Sequence, residues 1–308
     1  MGTRLSIAAP DDLSLPRDAN SYGYIRLAPD RWDADRQCLC SVLDLDNGPV
    51  RLEVAQQERG QLRAVADRAL SRSEQSSVRA AMTRMLRLDE TEDDIAAFHA
   101  IDPRWKTSGR GRLFRSSSLL MDMVRTVTSC NIAWSGTVLM NERFCAVLGR
   151  GGAFPSALRL ARTRPGTLRS RCRVGYRDTR LIELAKLFTR GEIDEAWMTD
   201  PATPDDAVFA FLKTLPGFGP YAAANMMQLL GRYGFLAIDS EAVRHGKQTL
   251  GLTGSEREIV SQLRARYEPF GAHKFRSYWF ELWEAYEKVH GPGHLWKPAT
   301  PRAKASAR

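Results

Sequence analysis

The sequence predicts an α+β fold, with a small N-terminal antiparallel sheet followed by a mostly α-helical, two-lobed part that contains two helices joined by a tight glycine hairpin. Short β-prone runs are confined to residues 1–70. Apolar residues recur at helical spacing from residue 73 onward, and a glycine-rich turn at 216–220 separates two helical segments. With 308 residues, 43% of them hydrophobic, the chain can bury a substantial core.

The β-prone runs are 22–27, 38–45 and 50–54, and the last two flank Asp46-Asn47-Gly48, a hairpin turn signal. Cys38 and Cys40 lie in the second run. No further ligands sit near them in the sequence, so we expect buried strand cysteines and predict no metal site. The five cysteines lack CxxC spacing, which is typical of reduced thiols in a cytosolic compartment.

Helices are predicted from capping residues and apolar spacing. The first is capped by Ser73 or Ser76 and carries the apolar positions 78–86. The next covers 92–101, and the one after it is capped by Ser117-Ser118. Further helices are expected at about 134–149, 155–161, 178–189, 205–213, from 220 onward, from 239 to about 250, 255–267 and 275–289.

The glycine-rich turn, Pro216-Gly217-Phe218-Gly219-Pro220, lies between two of these helices. Glycine tolerates positive φ and lets a ligand approach the backbone. The free N–H groups at the start of the second helix form an anion site that suits one backbone phosphate. Asp239 follows the apolar run 235–238, where a carboxylate is either a helix N-cap or a catalytic group.

The net charge of +9 is concentrated in two clusters. Eight arginines lie between residues 159 and 180 against one acid, Asp178. The second cluster is Arg104, Lys106, Arg110, Arg112 and Arg115. Clustered arginine indicates a polyanionic partner, most often nucleic acid, and the alternative is a solvated basic surface. No run of eighteen apolar residues occurs, and no secretion signal opens the chain, so we expect neither membrane association nor secretion.

The segment LPGFGPYAAANMM, with Asp239 eighteen residues after Tyr221, resembles the helix-hairpin-helix and catalytic aspartate of the HhH-GPD DNA glycosylase superfamily. Residues 116–149 and 276–283 resemble the 8-oxoguanine and 3-methyladenine (alkylpurine) branches. The resemblance covers about residues 20–290. It implies a sheet domain at 1–90, a helical lobe with a strand-contacting loop at 91–200 and a hairpin and catalytic lobe at 201–298. A disordered basic tail is expected at 299–308.

The resemblance implies that Asp239 is catalytic, because a carboxylate near C1′ stabilises the oxocarbenium character of the sugar and orients water. The bifunctional branches have a lysine nucleophile where this chain has Tyr221, which predicts a monofunctional enzyme without lyase activity. Gly217, Gly219 and Tyr221 are expected to hold a phosphate, with a monovalent cation at the hairpin. No four-cysteine cluster follows Asp239, so no iron–sulfur cluster is expected.

A glycosylase must also flip its target base out of the duplex. Asn131 matches the loop that touches the opposite strand, the alternative being a cap of the following helix. Arg112 is expected to contact DNA. Trp134, Tyr221 and Tyr278 are the candidates for the base pocket, although aromatic residues at helical spacing also serve as core.

The predicted function is removal of a damaged, alkylated purine from double-stranded DNA by base flipping and hydrolysis, in base excision repair. Two alternatives stay open, an 8-oxoguanine-type glycosylase and a non-catalytic helix-hairpin-helix DNA-binding protein. We expect a monomer in the cytoplasm, associated with the nucleoid.

Overall fold

A five-stranded antiparallel sheet occupies the N-terminal part of the computed structural model, which describes residues 2–297. The tail predicted at 299–308 lies outside the described residues. The spatial order of the strands is β1-β5-β4-β3-β2. The strands are β1 (Arg4–Ala8), β2 (Arg31–Asp33), β3 (Cys38–Leu45), β4 (Gly48–Glu58) and β5 (Gln61–Ala66). The predicted hairpin is confirmed, since Leu45 of β3 pairs with Gly48 of β4.

Residues 22–27 do not form the strand that their composition predicts. Gly23–Arg26 is a 3-10 turn closed by local bonds, such as Leu27 N–H to the Tyr24 carbonyl at 3.0 Å. Tyr24 and Ile25 are adjacent and both are buried, whereas adjacent side chains of a strand point to opposite faces. The turn therefore inserts neighbouring side chains into the interior, where Tyr24 hydrogen-bonds Thr126.

Helices fill the rest of the described chain. The α-helices are α1 (Leu15–Ala19), α2 (Arg72–Leu86), α3 (Glu92–Ile101), α4 (Leu119–Ser129), α5 (Trp134–Val147), α6 (Ala157–Ala161), α7 (Pro165–Thr167), α8 (Asp178–Thr189), α9 (Glu195–Thr199), α10 (Asp205–Thr214), α11 (Pro220–Leu229), α12 (Ser240–Gln248), α13 (Glu256–Tyr267) and α14 (Lys274–His290). The predicted α+β class is confirmed. None of the helices in residues 2–297 combines the length and apolar content needed to cross a bilayer.

Local capping sets several of these helix starts. Ser118 caps α4 as predicted, with its hydroxyl accepting from the Met121 N–H. The prediction for α2 is wrong, because Ser71 rather than Ser73 or Ser76 is the cap. Ser71 completes a reciprocal capping box with Glu74, and this pair satisfies two N–H groups at once.

The apolar core runs without a break from the sheet into the helices. Helices α4 and α11 cross its centre, and the side chains from Ala222 to Leu229 are all buried. Because α11 is held on every side, its first residue, Pro220, and the glycine turn before it are fixed at the edge of the core. Asp239 and α12 then emerge close to the same edge.

Candidate functional site

A cleft of about 2310 Å³ lies between the turn at Gly23–Arg26 and the starts of α5, α11 and α12, with α14 as one wall. Most of the residues predicted for a site lie around it. They are Asp239, Tyr221, Gly217, Gly219, Asn131, Trp134 and Tyr278. These residues come from three separate stretches of the chain, 131–134, 217–239 and 278, which the fold brings together.

Asp239 is at once the cap of α12 and a cleft residue. Its Oδ1 accepts the Ala242 N–H at 2.9 Å, and its Oδ2 lies 3.4 Å from the Tyr221 hydroxyl. One carboxylate oxygen thus satisfies the helix end while the other remains available at the cleft. The two interpretations that the sequence left open, N-cap and reactive carboxylate, are therefore compatible in one side chain.

The surroundings of Asp239 are poorly solvated. Burial raises the pKa of the Asp239 carboxyl, and the Ala242 N–H bond opposes that rise. Burial also raises the pKa of Tyr221 well above its usual value, and the nearby Asp239 charge adds to this. At neutral pH the phenol therefore keeps its proton and donates to the carboxylate.

The glycine turn presents backbone donors to the outside. Gly217 has φ of +89°, and a Cβ there would meet the Val127 side chain at 3.2 Å, so both conformation and space require glycine. A Cβ on Gly219 would meet nothing within 4 Å. Within residues 2–297, the N–H groups of Gly217, Gly219 and Tyr221 have no hydrogen-bond partner. The turn can therefore receive an anion at three adjacent donors.

One wall of the cleft is a ladder of aromatic rings on α14. Trp279 stacks on Phe275 with centroids 6.0 Å apart and on Trp283 at 5.7 Å, and Tyr22 approaches Trp279 at 4.6 Å. Tyr278, by contrast, is only 2% exposed and packs edge-on against Tyr267, so its ring belongs mainly to the core behind the cleft. The ladder offers an apolar, electron-rich face to a flat ligand.

The loop between α4 and α5 lies at the rim of the cleft, and we call this part of the rim the lip. It carries Asn131, whose backbone is in the left-handed region, with φ of +53°. The expected alternative, that Asn131 caps the next helix, is wrong, because Ala133 is the N-cap of α5. The Asn131 amide reaches the Tyr176 hydroxyl at 3.4 Å, and Tyr176 is 51% exposed. Trp134, 45% exposed, follows on the same lip. Sequence reasoning missed Tyr176, whose only local signal is an isolated tyrosine among arginines.

The buried Arg177 holds this lip in place. Its guanidinium donates to the carbonyls of Val127 and Cys130, which lie at the end of α4. Its cation also lies over the Tyr176 ring, 4.6 Å from the centroid. This arginine of the first basic cluster thus stabilises the lip rather than binding a ligand.

The other arginines of that cluster face outward. Arg169 pairs with Asp178 at 2.6 Å. The remaining six are exposed, and in the part of the chain that the structure describes they form no ion pair. We call this set the arginine surface: Arg159, Arg162, Arg164, Arg171, Arg173 and Arg180. Arg180 also lines the cleft and lies beside Gly217, which connects the surface to the glycine turn.

Most of the second basic cluster is paired with carboxylates, and the prediction that Arg112 contacts DNA is wrong. Arg112 is 1% exposed and pairs with Asp12 at 2.6 Å. Arg104 pairs with Glu281 at 3.0 Å, and Arg110 pairs with Glu287. These guanidinium groups tie the connector after α3 to α14 and to the N-terminal segment, since a buried charge requires a partner.

The five-stranded sheet, followed by helices packed around the buried α4 and α11, is the fold of this chain. Solved structures that share it include three DNA-glycosylase structures. MBOgg1 in complex with a low-affinity DNA ligand has a TM-score of 0.68 at 16% identity, covering 94% of this chain and 97% of that one.

The 3-methyladenine DNA glycosylase from Archaeoglobus fulgidus has a TM-score of 0.65 at 15% identity, covering 92% and 99% of the two chains. The apo 8-oxoguanine glycosylase/lyase from Clostridium acetobutylicum gives 0.65 at 15%, covering 91% and 97%. No protein-family model matches the sequence, and neither does any curated protein. At these identities the likeness establishes the fold.

Proposed function

We propose that this protein is a DNA glycosylase that flips a damaged base out of duplex DNA and hydrolyses its N-glycosidic bond. The observation that carries the proposal is Asp239, a partly buried carboxylate with one oxygen free in a cleft that the glycine turn and the aromatic residues of α14 also line. The shared fold with three glycosylase structures supports it.

In the proposed reaction, the bond between the base and C1′ lengthens and positive charge develops on the sugar. The Asp239 carboxylate stabilises that charge through a weakly solvated site, where electrostatic interactions are stronger than in water. The same carboxylate takes a proton from the attacking water. Tyr221 keeps Asp239 oriented through the contact from its hydroxyl at 3.4 Å.

DNA would be held on both sides of the cleft. The turn with Gly217 and Gly219 suits one backbone phosphate, and the adjacent arginine surface suits further phosphates. The exposed Asn131 and Tyr176 on the lip are positioned to fill the gap that a flipped base leaves. The side chains of the turn carry no oxygen, so a monovalent cation there would be held by backbone carbonyls alone.

We propose hydrolysis without a covalent intermediate, because the cleft has no suitable amine among the described residues. Tyr221 occupies the position of the family's lysine nucleophile. The lysine that lines the cleft, Lys297, pairs with Asp35 at 2.8 Å. Water is then the nucleophile, and the reaction would end with an abasic site.

We propose an alkylated purine as the substrate. Such bases are cationic and their glycosidic bond is already weakened, so the Trp279 ladder supplies binding by cation–π contact. The second candidate is 8-oxoguanine, which is neutral and requires a specific polar contact. The structural neighbours include proteins named for both lesions. As a repair enzyme the protein would work where the chromosome lies, consistent with the expected nucleoid association.

The test is release of free base from otherwise identical duplexes carrying 3-methyladenine, 7-methylguanine, 8-oxoguanine or no lesion. We expect release from the methylated duplexes only. Release from the 8-oxoguanine duplex alone would replace the substrate proposal. Tight binding to abasic DNA with no release from any duplex would favour the non-catalytic DNA-binding alternative.

A further inference from the structure

Two thiols and a carboxylate, groups that can coordinate a metal ion, meet at the edge of the sheet and are not among the residues that line the cleft. Asp33 ends β2, and Cys38 and Cys40 begin β3. Their ligand atoms all lie within 4.8 Å of one another. We propose that Asp33, Cys38 and Cys40 form a binding site for a zinc-class divalent ion. This proposal does not depend on the proposed function.

The strand register builds the site. Asp33 is the direct cross-strand partner of Cys38. Cys38 and Cys40 are two residues apart on one strand and so share a face, while Leu39 between them points to the core and is fully buried. The sequence alone does not predict this arrangement, because the carboxylate comes from the neighbouring strand and a turn separates it from the thiols.

The sulfur spacing matches a tetrahedral ion. The Sγ atoms of Cys38 and Cys40 are 3.8 Å apart. Zinc–sulfur bonds of about 2.3 Å in a tetrahedral centre place two sulfurs about 3.8 Å apart. A weak thiol–thiol hydrogen bond would allow the same separation, but it gives no role to the adjacent carboxylate. Mixed thiolate and carboxylate ligands are a set that zinc accepts.

The carboxylate is held in position before any ion binds. Oδ1 of Asp33 accepts the Arg36 N–H at 3.1 Å, which fixes the side chain at the turn and leaves Oδ2 free for a metal. Arg31 approaches Oδ2 only to 3.9 Å. The cysteines are 3% and 6% exposed and the Asp33 side chain is 20% exposed, so an ion could reach the site from the side of the carboxylate, and a water would supply a fourth ligand.

The proposed site would carry a net negative charge once an ion is bound. Binding would release two thiol protons to solvent and leave two thiolates and one carboxylate around a divalent ion, a net charge of −1. Arg36, from the turn between the two strands, pairs with Glu53 on β4 and lies close enough to Cys38 to act on its charge. The ion would fasten β2, a three-residue edge strand, to the rest of the sheet.

The experiment is titration of the chelator-treated, thiol-reduced full chain with Co²⁺, a spectroscopic substitute for zinc. We expect one equivalent to give a thiolate-to-cobalt charge-transfer band together with the visible bands of a tetrahedral centre. Zn²⁺ should displace the cobalt and raise the melting temperature, because an ion that binds only the folded state stabilises it.

The variants Cys38→Ser and Cys40→Ser should each lose the charge-transfer intensity, and Asp33→Asn should weaken Co²⁺ binding about tenfold or more. Cys145→Ser, at a buried cysteine elsewhere in the fold, is the matched control and should behave as the wild type. Circular dichroism checks that each variant is folded. Absence of the band in the wild type, or its persistence in a folded Cys38→Ser or Cys40→Ser variant, overturns the proposal.

Discussion

The Tyr221 hydroxyl and the Asp239 carboxylate lie 3.4 Å apart although eighteen residues separate them. Tyr221 is on the first turn of α11, directly after the glycine turn, and Asp239 caps α12. The contact joins the anion-binding element to the acid. A phosphate bound at the turn would thereby lie at a fixed distance from the carboxylate, which is the geometry that the proposed removal of one base requires.

Asp239→Asn should abolish base release while leaving DNA binding intact. Asparagine caps helices about as well as aspartate, so the bond from the Ala242 N–H survives and α12 keeps its start. What is lost is the negative charge, and we expect the single-turnover rate to fall by about 10²-fold or more. The dissociation constant for lesion-containing duplex, measured by fluorescence anisotropy, should stay near the wild-type value. An undiminished rate would remove Asp239 from the mechanism.

Tyr221→Phe should move the acid limb of the pH–rate profile to higher pH. Burial raises the pKa of Asp239, and the Tyr221 hydrogen bond opposes that rise by stabilising the carboxylate. Without the hydroxyl the pKa rises further, so the active, ionised form is lost at a higher pH as the solution is acidified.

The measurement for Tyr221→Phe is the single-turnover rate from pH 7 downward at constant ionic strength. Tyr278→Phe is the matched control, because that phenol also lines the cleft but, among the described residues, makes no hydrogen bond to Asp239. Its acid limb should coincide with that of the wild type. If the acid limb of the Tyr221→Phe profile lies at the same pH as that of the wild type, Tyr221 acts only by packing.

Local signals predicted the longer helices, but the short helices α1, α7 and α9 were not predicted. The bounds of α3 and α8 match the sequence prediction. Helix α3 has a capping box at Thr91 and ends at the Asp102-Pro103 pair, whereas α8 begins with an acidic residue, Asp178, and carries an apolar stripe. Strands β1, β2 and β5 were not foreseen. β1 pairs with β5 across more than fifty residues, and its five-residue alternation is too short to stand out.

The candidate site shows the same difference between local signals, which the sequence reveals, and contacts between distant residues, which it does not. Asp239 and the glycine turn could be named in advance because both belong to one continuous stretch. Tyr176 could not, since its partner Asn131 is 45 residues away. The basic cluster around Arg110 was misjudged for the same reason, because its acidic partner Glu287 lies 177 residues further along the chain. Charge clusters in a sequence do not reveal which of their members are neutralised.

Substitutions of the two glycines of the turn should have different effects, one on the stability of the fold and the other on DNA binding. Gly217→Ala should lower the free energy of unfolding by roughly 1–2 kcal/mol, because φ of +89° strains any side chain and Val127 lies 3.2 Å from the new Cβ. Gly219→Ala should leave stability nearly unchanged, since nothing lies within 4 Å, yet weaken duplex binding where the DNA backbone approaches.

Denaturant unfolding and anisotropy distinguish the two glycine variants. If Gly219→Ala bound DNA as tightly as the wild type, the phosphate would not sit at this turn.

Borohydride should trap no covalent complex between the wild-type protein and lesion-containing or abasic DNA. Trapping requires an amine that forms a Schiff base at C1′, and Tyr221 stands where that amine would be. The measurement is a denaturing gel of labelled duplex, with a known glycosylase/lyase as the positive control. A shifted band would reveal an amine nucleophile, and Lys297→Ala would then show whether it is the lysine that lines the cleft.

The arginine surface should set the salt dependence of DNA binding. Each phosphate contact contributes roughly 0.9 to the slope of log K against log salt, because contact releases condensed counterions. The triple change of Arg162, Arg164 and Arg173 to alanine should therefore flatten the slope by up to about 2.7. Fold stability should hardly change, because these side chains are exposed and, within residues 2–297, form no ion pair.

Arg63→Ala is the matched control for this surface, since Arg63 is exposed on β5 and is likewise without an ion pair in the described chain. It removes one positive charge from the sheet and should leave the slope as it is. If the triple variant and the control have equal slopes, the arginine surface is solvated and does not contact DNA. The cleft and the glycine turn would then supply the phosphate contacts on their own. A flatter slope in the triple variant alone, with base release retained at low salt, would establish that the arginine surface binds the duplex outside the cleft.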